Sequence, residues 1–355
     1  MAKRLGRVAA VAVAAAGLVA WVAVPVAAGE WEVDRASLTA FNGPDDALAW
    51  DVAVQPDGLQ VEAGEYAGNA FVLRFSLPLG RTDDGFEGSG VATLDEGGDE
   101  GAYGVALQAD GAIVASGYAD GDAAVWRLLP DGRRDQTFGV NGFARVDLGT
   151  DDDAAASVGV VADGRIVVAG WAGSDLALAA LTSAGTTDAA FGAGGKVVRD
   201  LGSEEWAEAL AVTGTGAVVV AGGKGDDTLV ARYTASGSAD ASFGSAGVRV
   251  LDVGGEDAAR DVTVDAFDRP VLAGGAGSSA YVARLAPNGL PDLTFAGDGT
   301  VVTSLRAAPA EASGVAVLPD GRIVIAGSSA DEPVLAAFTS AGLADAGFGD
   351  GNLLL

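Results

Sequence analysis

The chain has no cysteine and no histidine, and among its 355 residues there is a single methionine. Without cysteine there is no disulfide, no thiolate metal site and no cysteine nucleophile. Without histidine the commonest general base and the commonest transition-metal ligand are missing, which removes most familiar hydrolase triads and zinc sites. Positive charge is also scarce. Lysine occurs only at Lys3, Lys196 and Lys224, and 21 basic residues face 49 acidic ones, a formal charge of −28. Such a surface repels nucleic acid, whose binding depends on neutralising phosphates, and it repels anionic lipid. Cations and basic partners stay open, while charge alone already serves solubility. No window beyond residue 28 has helical periodicity. A glycine-rich phosphate loop leading into a helix is therefore absent, and so is an Asp-rich EF-hand loop.

What is present begins with a segment unlike the rest. Lys3, Arg4 and Arg7 precede an Ala/Val-rich run from Val8 to Ala28, and small residues at Val26-Ala27-Ala28 stand before Gly29. That order is the pattern of a Sec signal peptide over residues 1–28, with an uncleaved anchor as the alternative, since the run is long enough to span a bilayer. Removing residues 1–28 takes away three positive charges and no acid, moving −28 to −31. No later stretch is apolar enough to cross a membrane. The expected location is the medium or the cell envelope, and the expected state a monomer.

From there the chain repeats. Asp-x-x-Phe recurs at Asp83/Phe86, Asp135/Phe138, Asp188/Phe191, Asp240/Phe243, Asp292/Phe295 and Asp345/Phe348, with successive phenylalanines 52, 53, 52, 52 and 53 residues apart. A glycine that ends an apolar run keeps the same step at Gly64, Gly117, Gly170, Gly222, Gly274 and Gly327. Two anchors in one register mark a repeat architecture. Within one unit, residues 155–201, four short apolar or β-branched runs alternate with Gly/Asp turns such as Ala162-Asp163-Gly164. Turns of this kind join antiparallel strands, and four strands per unit is the pattern of a β-propeller blade. The expectation is an all-β fold: a single propeller over residues 29–355, of six blades, with seven as the alternative. Closure is left open, because Leu38–Asn42 and Gly351–Leu355 both align with a fourth strand.

Several pieces recur at fixed offsets: Asp320-Gly321-Arg322-Ile323-Val324-Ile325-Ala326-Gly327, Val282-Ala283-Arg284-Leu285 and Asp135-Gln136-Thr137-Phe138-Gly139. Together they resemble the bacterial delta-60 repeat family, over residues from about 38 to 355. The resemblance implies an exported, propeller-like repeat protein and supplies no catalytic residue. Strand C carries an arginine at Arg74, Arg127, Arg232 and Arg284, replaced by Ala180 and Ala337 in units three and six.

The tag aspartate reads as an Asx-turn cap on the loop between strands C and D, with its phenylalanine wedged between blades. The D–A and B–C loops leave the same face of an up-and-down blade and are acidic and variable, and variable loops on a fixed scaffold are where binding concentrates. The candidate ligand-binding residues are Tyr118, Asp120, Asp122, Asp152, Asp153, Trp171, Asp175, Asp226 and Asp227. Gly222–Val230 matches one copy of a calcium nonapeptide. That motif binds through stacked copies, so no cofactor is expected and calcium is the alternative. The functional expectation is a non-catalytic binding or scaffold module for an extracellular protein or glycan. The alternatives are a propeller enzyme working on a polymer through loop carboxylates and a structural cell-surface protein.

Overall fold

The computed structural model describes residues 20–26, 30–36, 47–76, 81–150, 152–330, 332–349 and 353–354. An antiparallel hairpin, β1 (Ala20–Val26) and β2 (Glu30–Ala36), precedes six antiparallel sheets. The remainder of the expected export signal, residues 1–19, 27 and 28, lies outside the described residues. Blade one contains β3 (Ala47–Val54), β4 (Gln60–Tyr66), β5 (Asn69–Ser76), the short β6 (Arg81–Thr82) and β7 (Val91–Leu94). Blade two is β8 (Glu100–Leu107), β9 (Ile113–Ala119), β10 (Asp122–Leu128) and β11 (Phe143–Val146). Blade three is β12 (Asp153–Val160), β13 (Ile166–Ala172), β14 (Asp175–Leu181) and β15 (Lys196–Arg199). Blade four is β16 (Glu205–Val212), β17 (Val218–Lys224), β18 (Asp227–Tyr233) and β19 (Val248–Leu251). Blade five is β20 (Asp257–Val264), β21 (Pro270–Ala276), β22 (Ser279–Arg284) and β23 (Thr300–Thr303). Blade six is β24 (Ala310–Val317), β25 (Ile323–Ser329), β26 (Glu332–Phe338) and β27 (Leu353–Leu354).

The molecule is thus an all-β, six-bladed propeller. Each blade meanders A–B–C–D, and the A strands of blades one to six pack side by side, β3 on β8, β8 on β12 and so on to β24. The A strands therefore line the central channel, and the D strands form the rim. Blade six takes its D strand from the chain's last residues, β27 pairing with β26 at Leu335 and Ala336. The other segment that aligns with a D strand, Leu38–Asn42, lies outside the described residues. The D–A and B–C loops do share one face. Asp153, Glu205, Asp257 and Ala310, each at the start of an A strand, donate their N–H groups to carbonyls at the B–C tips of the preceding blade (Gly121, Ser174, Asp226, Ser278).

The repeated tag works as a stitch between blades. In all six copies the aspartate Oδ1 accepts the N–H two residues on, at 2.9–3.1 Å. All six phenylalanines are fully buried. The ring of one blade lies under a turn glycine of the next: a Cβ built on Gly132, Gly185, Gly237, Gly289 or Gly342 would sit 2.9–3.1 Å from Phe86, Phe138, Phe191, Phe243 or Phe295. The other aspartate oxygen holds an arginine. Asp83, Asp135, Asp240 and Asp292 bind Arg74, Arg127, Arg232 and Arg284 at 2.7–2.8 Å. Each guanidinium lies 4.7–4.9 Å over its phenylalanine and donates to a carbonyl of the next blade (Pro130, Ser183, Pro287, Ser340). In blades three and six, where Ala180 and Ala337 replace the arginine, another arginine takes its place. Arg165 and Arg322, just after the A–B turns, reach Asp188 at 3.4 Å and Asp345 at 3.0 Å.

Apolar side chains of neighbouring blades merge into shared cores from blade one through blade six. Between blade six and blade one the described apolar residues form two separate groups. Val324, Ala326, Leu335, Ala337 and Phe348 make one, and Phe71, Leu73 and Phe75 the other. Blade one is also polar here. Gln60 and Glu62 pair across the sheet with Phe75 and Leu73, so all four share a face. They occupy the repeat positions of Ile113/Ala115, Ile166/Val168, Val218/Val220, Pro270/Leu272 and Ile323/Ile325. Gln60 and Glu62 are buried, and their side-chain polar atoms have no hydrogen-bond partner. Burial pushes the Glu62 carboxyl up to about 8.

Candidate functional site at the channel mouth

Every A strand breaks register with its B strand at the same place: between Ala49 and Asp51, Ala102 and Gly104, Ala154 and Ser157, Ala207 and Ala209, Ala259 and Asp261, and Ala312 and Gly314. The skipped residues are Trp50, Tyr103, Ala155/Ala156, Glu208, Arg260 and Ser313. A β-bulge re-aims the side chain of its extra residue. Six bulges at one height on the channel wall place such a residue from every blade, two in blade three, around the mouth, below the D–A and B–C loops.

The mouth has two unlike halves. On the side of blades one to three, Tyr103 stands among three rings, with centroids 5.7 Å from Trp50 (edge-on), 5.4 Å from Tyr118 and 6.2 Å from Trp171. Such spacings are those of interacting aromatic pairs. Tyr118 donates its hydroxyl to Glu65 of blade one at 3.3 Å. Gly101 makes room for this: a Cβ there would lie 2.5 Å from the Tyr118 ring and 3.3 Å from Glu65. On the side of blades four to six, Arg260 lies between two carboxylates, 2.9 Å from Glu208 and 2.6 Å from Glu311. Glu208 also accepts the indole N–H of Trp206 at 3.0 Å. The acids surround the rings. Burial, then Glu65, Asp99, Glu208 and Asp152, push the Tyr103 phenol up, and burial followed by Glu65 does the same at Tyr118.

One residue beyond the bulge, the wall carries Asp51, Ser157 and Asp261 on alternate blades. Their side chains accept the N–H of Val105, Leu210 and Val315 of the following blade at 2.8, 3.1 and 2.7 Å. Both aspartates are walled in by protein, though the channel leaves them some contact with solvent. Desolvation outweighs the hydrogen bonds and lifts Asp51 to about 6 and Asp261 to about 7, the latter raised further by Asp51.

The candidates read from the sequence divide along these lines. Tyr118 and Trp171 join the aromatic half, and Asp152 is an exposed acid above it. Asp120 and Asp122 flank Arg145 on the rim, at 3.6 and 2.7 Å. Asp153 is buried and caps its own D–A loop, accepting from the N–H groups of Leu148, Gly149 and Thr150 and from the Thr150 hydroxyl. Asp226 is exposed at a B–C tip. Asp175 groups with Asp200 and Glu205, and Asp227 with Asp252 and Asp257, with ligand oxygens within 4.8 Å in each set. These two sets could hold a cation by geometry. Their buried members are already engaged, however: Glu205 accepts from Leu201 and Ser203, and Asp257 from Thr228, Val253 and Gly254. Trp50, Glu65, Tyr103, Glu208, Arg260 and Glu311 are added by the structure. Five of the six lie on A strands read as apolar runs. Their signal in the sequence was a large or charged residue at one repeat position, 50, 103, 208 and 260.

On the opposite face a groove between blades one and two is lined by Glu87, Arg133, Arg134 and Asp135. Three of these four charges are paired, Arg133 to Asp131, Arg134 to Glu96 and Asp135 to Arg127.

Comparison with known proteins agrees with this architecture. Residues 108–138, 162–191 and 214–243 match the model of a domain of unknown function (DUF5122) beta-propeller. The chain is a β-propeller repeat protein. No curated protein matches its sequence. Among solved structures it is similar to virginiamycin B lyase from Staphylococcus aureus, crystallised as a catalytically inactive histidine-to-alanine variant with quinupristin. The TM-score is 0.54 at 11% identity, over 85% of this chain and 84% of that one. A protein of unknown function from Bacteroides caccae aligns with a TM-score of 0.47 at 13% identity, over 83% of this chain and 96% of that one. At these identities the likeness concerns the fold alone. The propeller protein described here has no histidine with which to repeat chemistry that depends on one.

Proposed function

We propose that this propeller is an exported, non-catalytic binding module that takes its ligand at the mouth of the central channel. The observation that carries the reading is the cluster built around the bulge residues. Trp50 and Tyr103 meet Tyr118 and Trp171 of the B strands, four aromatic rings from three blades, beside a Glu208–Arg260–Glu311 array, and recognition sites are built from such apolar surface with a few fixed polar groups. The signal-like order of residues 1–28 supports export, and the acidic, variable loops around the mouth support a surface shaped for a partner. The enzyme reading rests on Asp51 and Asp261, whose raised pKa values would suit proton transfer. It is the weaker of the two, because each carboxyl already accepts two backbone N–H groups.

Three of the six tryptophans, Trp50, Trp171 and Trp206, line the mouth. Titrating the mature protein with glycan and peptide panels should change tryptophan fluorescence saturably for a ligand class, and Trp171→Ala should weaken that binding. Turnover of any panel member that stops on Asp51→Asn or Asp261→Asn would replace this reading with the enzyme one. Recovery of the protein only in the cytoplasm would remove its exported part.

A further inference from the structure

The charges around the mouth specify what it would hold. The single guanidinium there, Arg260, is clamped by two carboxylates, so it offers little to an anion and the trio keeps a net negative charge. On the other side Glu65 is bonded to a neutral phenol, and Asp99 and Asp152 are exposed just above the rings. No basic side chain is within salt-bridge distance of Glu65, Asp99 or Asp152 among the described residues. The faces of aromatic rings are themselves the negative side of their π systems. An aromatic cluster ringed by unneutralised carboxylates is a poor host for an anion and a good one for a cation, which gains from both. The field of the whole molecule acts the same way, since a charge of −28 draws cations toward its clefts. The blades already use this chemistry internally, holding four guanidinium groups 4.7–4.9 Å over buried phenylalanines.

We propose that the mouth recognises an organic cation, the arginine or lysine side chain of a peptide or protein partner, seated against Tyr103, Tyr118, Trp171 and Trp50 with Glu65 and Glu208 as counter-charges. This rests on the reading of the mouth as a binding site. It narrows the partner to a basic polypeptide.

The test uses the full mature chain and three probes. One is an arginine-containing hexapeptide, the second the same peptide with neutral citrulline in place of arginine, and the third a neutral cello-oligosaccharide. The arginine peptide should quench tryptophan fluorescence saturably and bind at least about tenfold more tightly than the citrulline peptide, a difference of about 1.4 kcal/mol. Tyr103→Leu, which leaves the charge unchanged, should weaken the arginine peptide about tenfold, and Glu65→Gln should do the same. Asp57→Asn, on the far face at an A–B turn, should leave it unchanged. Melting curves would verify that each variant is folded. Arginine-peptide binding that is indifferent to Tyr103→Leu would mean attraction to the acidic surface at large, and would overturn the inference. Equal binding of the citrulline peptide, or tighter binding of the oligosaccharide, would overturn the cation while leaving the mouth as the site. Silence of all three probes would count against the binding reading as well.

Discussion

Replacing Glu62 with leucine should stabilise this protein, and by an amount that depends steeply on pH. The carboxyl is about 1% exposed, lacks any hydrogen-bond partner and stands where the other blades carry Ala115, Val168, Val220, Leu272 and Ile325. Burial raises it from 4.5 to about 8, because the charged form loses its hydration and gains nothing in return. The folded state therefore holds a proton that the unfolded chain releases earlier. Its favourable contribution is complete below about pH 4.5, declines as pH rises and is gone once pH passes 8. A rise of that size corresponds to about 5 kcal/mol at 1.36 kcal/mol per pH unit. Urea unfolding followed by circular dichroism at pH 5, 7 and 9 would measure it. Glu62→Leu should gain about 1–2 kcal/mol at pH 5, from relief of an unpaired buried carboxyl, and about 4 kcal/mol more at pH 9, where the parent has lost the proton. A residual decline should persist between about pH 4 and 7 from Asp51 and Asp261, whose folded pKa values are raised in the same direction. A variant less stable than the parent at pH 9, or one with an unchanged pH slope, would refute the assignment of Glu62 as a buried, unpaired acid.

Phe191→Ala should cost about 3–5 kcal/mol in chemical unfolding, since the ring is fully buried between blades three and four, whereas Trp171→Ala at the open mouth should cost far less. Equal losses would contradict the division between scaffold and site. Arg165→Ala should cost about 1–3 kcal/mol by leaving Asp188 without its cation and the Ala235 carbonyl without a donor, while Arg133→Ala, whose partner Asp131 is exposed, should be nearly neutral. Thermal melts should rise with ionic strength whatever the salt, as self-repulsion is screened. Calorimetry at fixed ionic strength should show no stoichiometric Ca²⁺ uptake, and uptake that disappears on Asp227→Asn would make the Asp227–Asp252–Asp257 set a calcium site.

The period of 52 or 53 residues, the Asp-x-x-Phe tag and the Asp-Gly turns were enough to define the blades. Each of these is a local device: an Asx turn spans two residues, a turn glycine needs only its own φ, and a four-stranded meander pairs neighbours in the chain. The structure shows the tag's Asx turn in all six copies and its phenylalanine packed against the next blade in the five copies from Phe86 to Phe295. The arginine that answers it was only partly legible, because Arg165 and Arg322 stand in for the missing strand-C residue from the end of the A–B turn, 23 residues before the aspartates they reach. The mouth was legible at Tyr118 and Trp171, which read as loop residues and prove to lie at the ends of the B strands β9 and β13, and hidden at Trp50, Tyr103, Glu208 and Arg260. A β-bulge shifts these four out of the alternation that tells an inward side chain from an outward one, and it leaves no mark in a single strand's sequence. Glu62 is the sharpest case. As a residue in a polar-looking strand it reads as solvated, and only the folded structure shows it buried, beside Leu73 and Phe75 on the face of blade one that turns away from blade two. What depended on neighbours within a blade was written in the sequence; what depended on residues some 50 or more apart being drawn to one axis was decided by the ring.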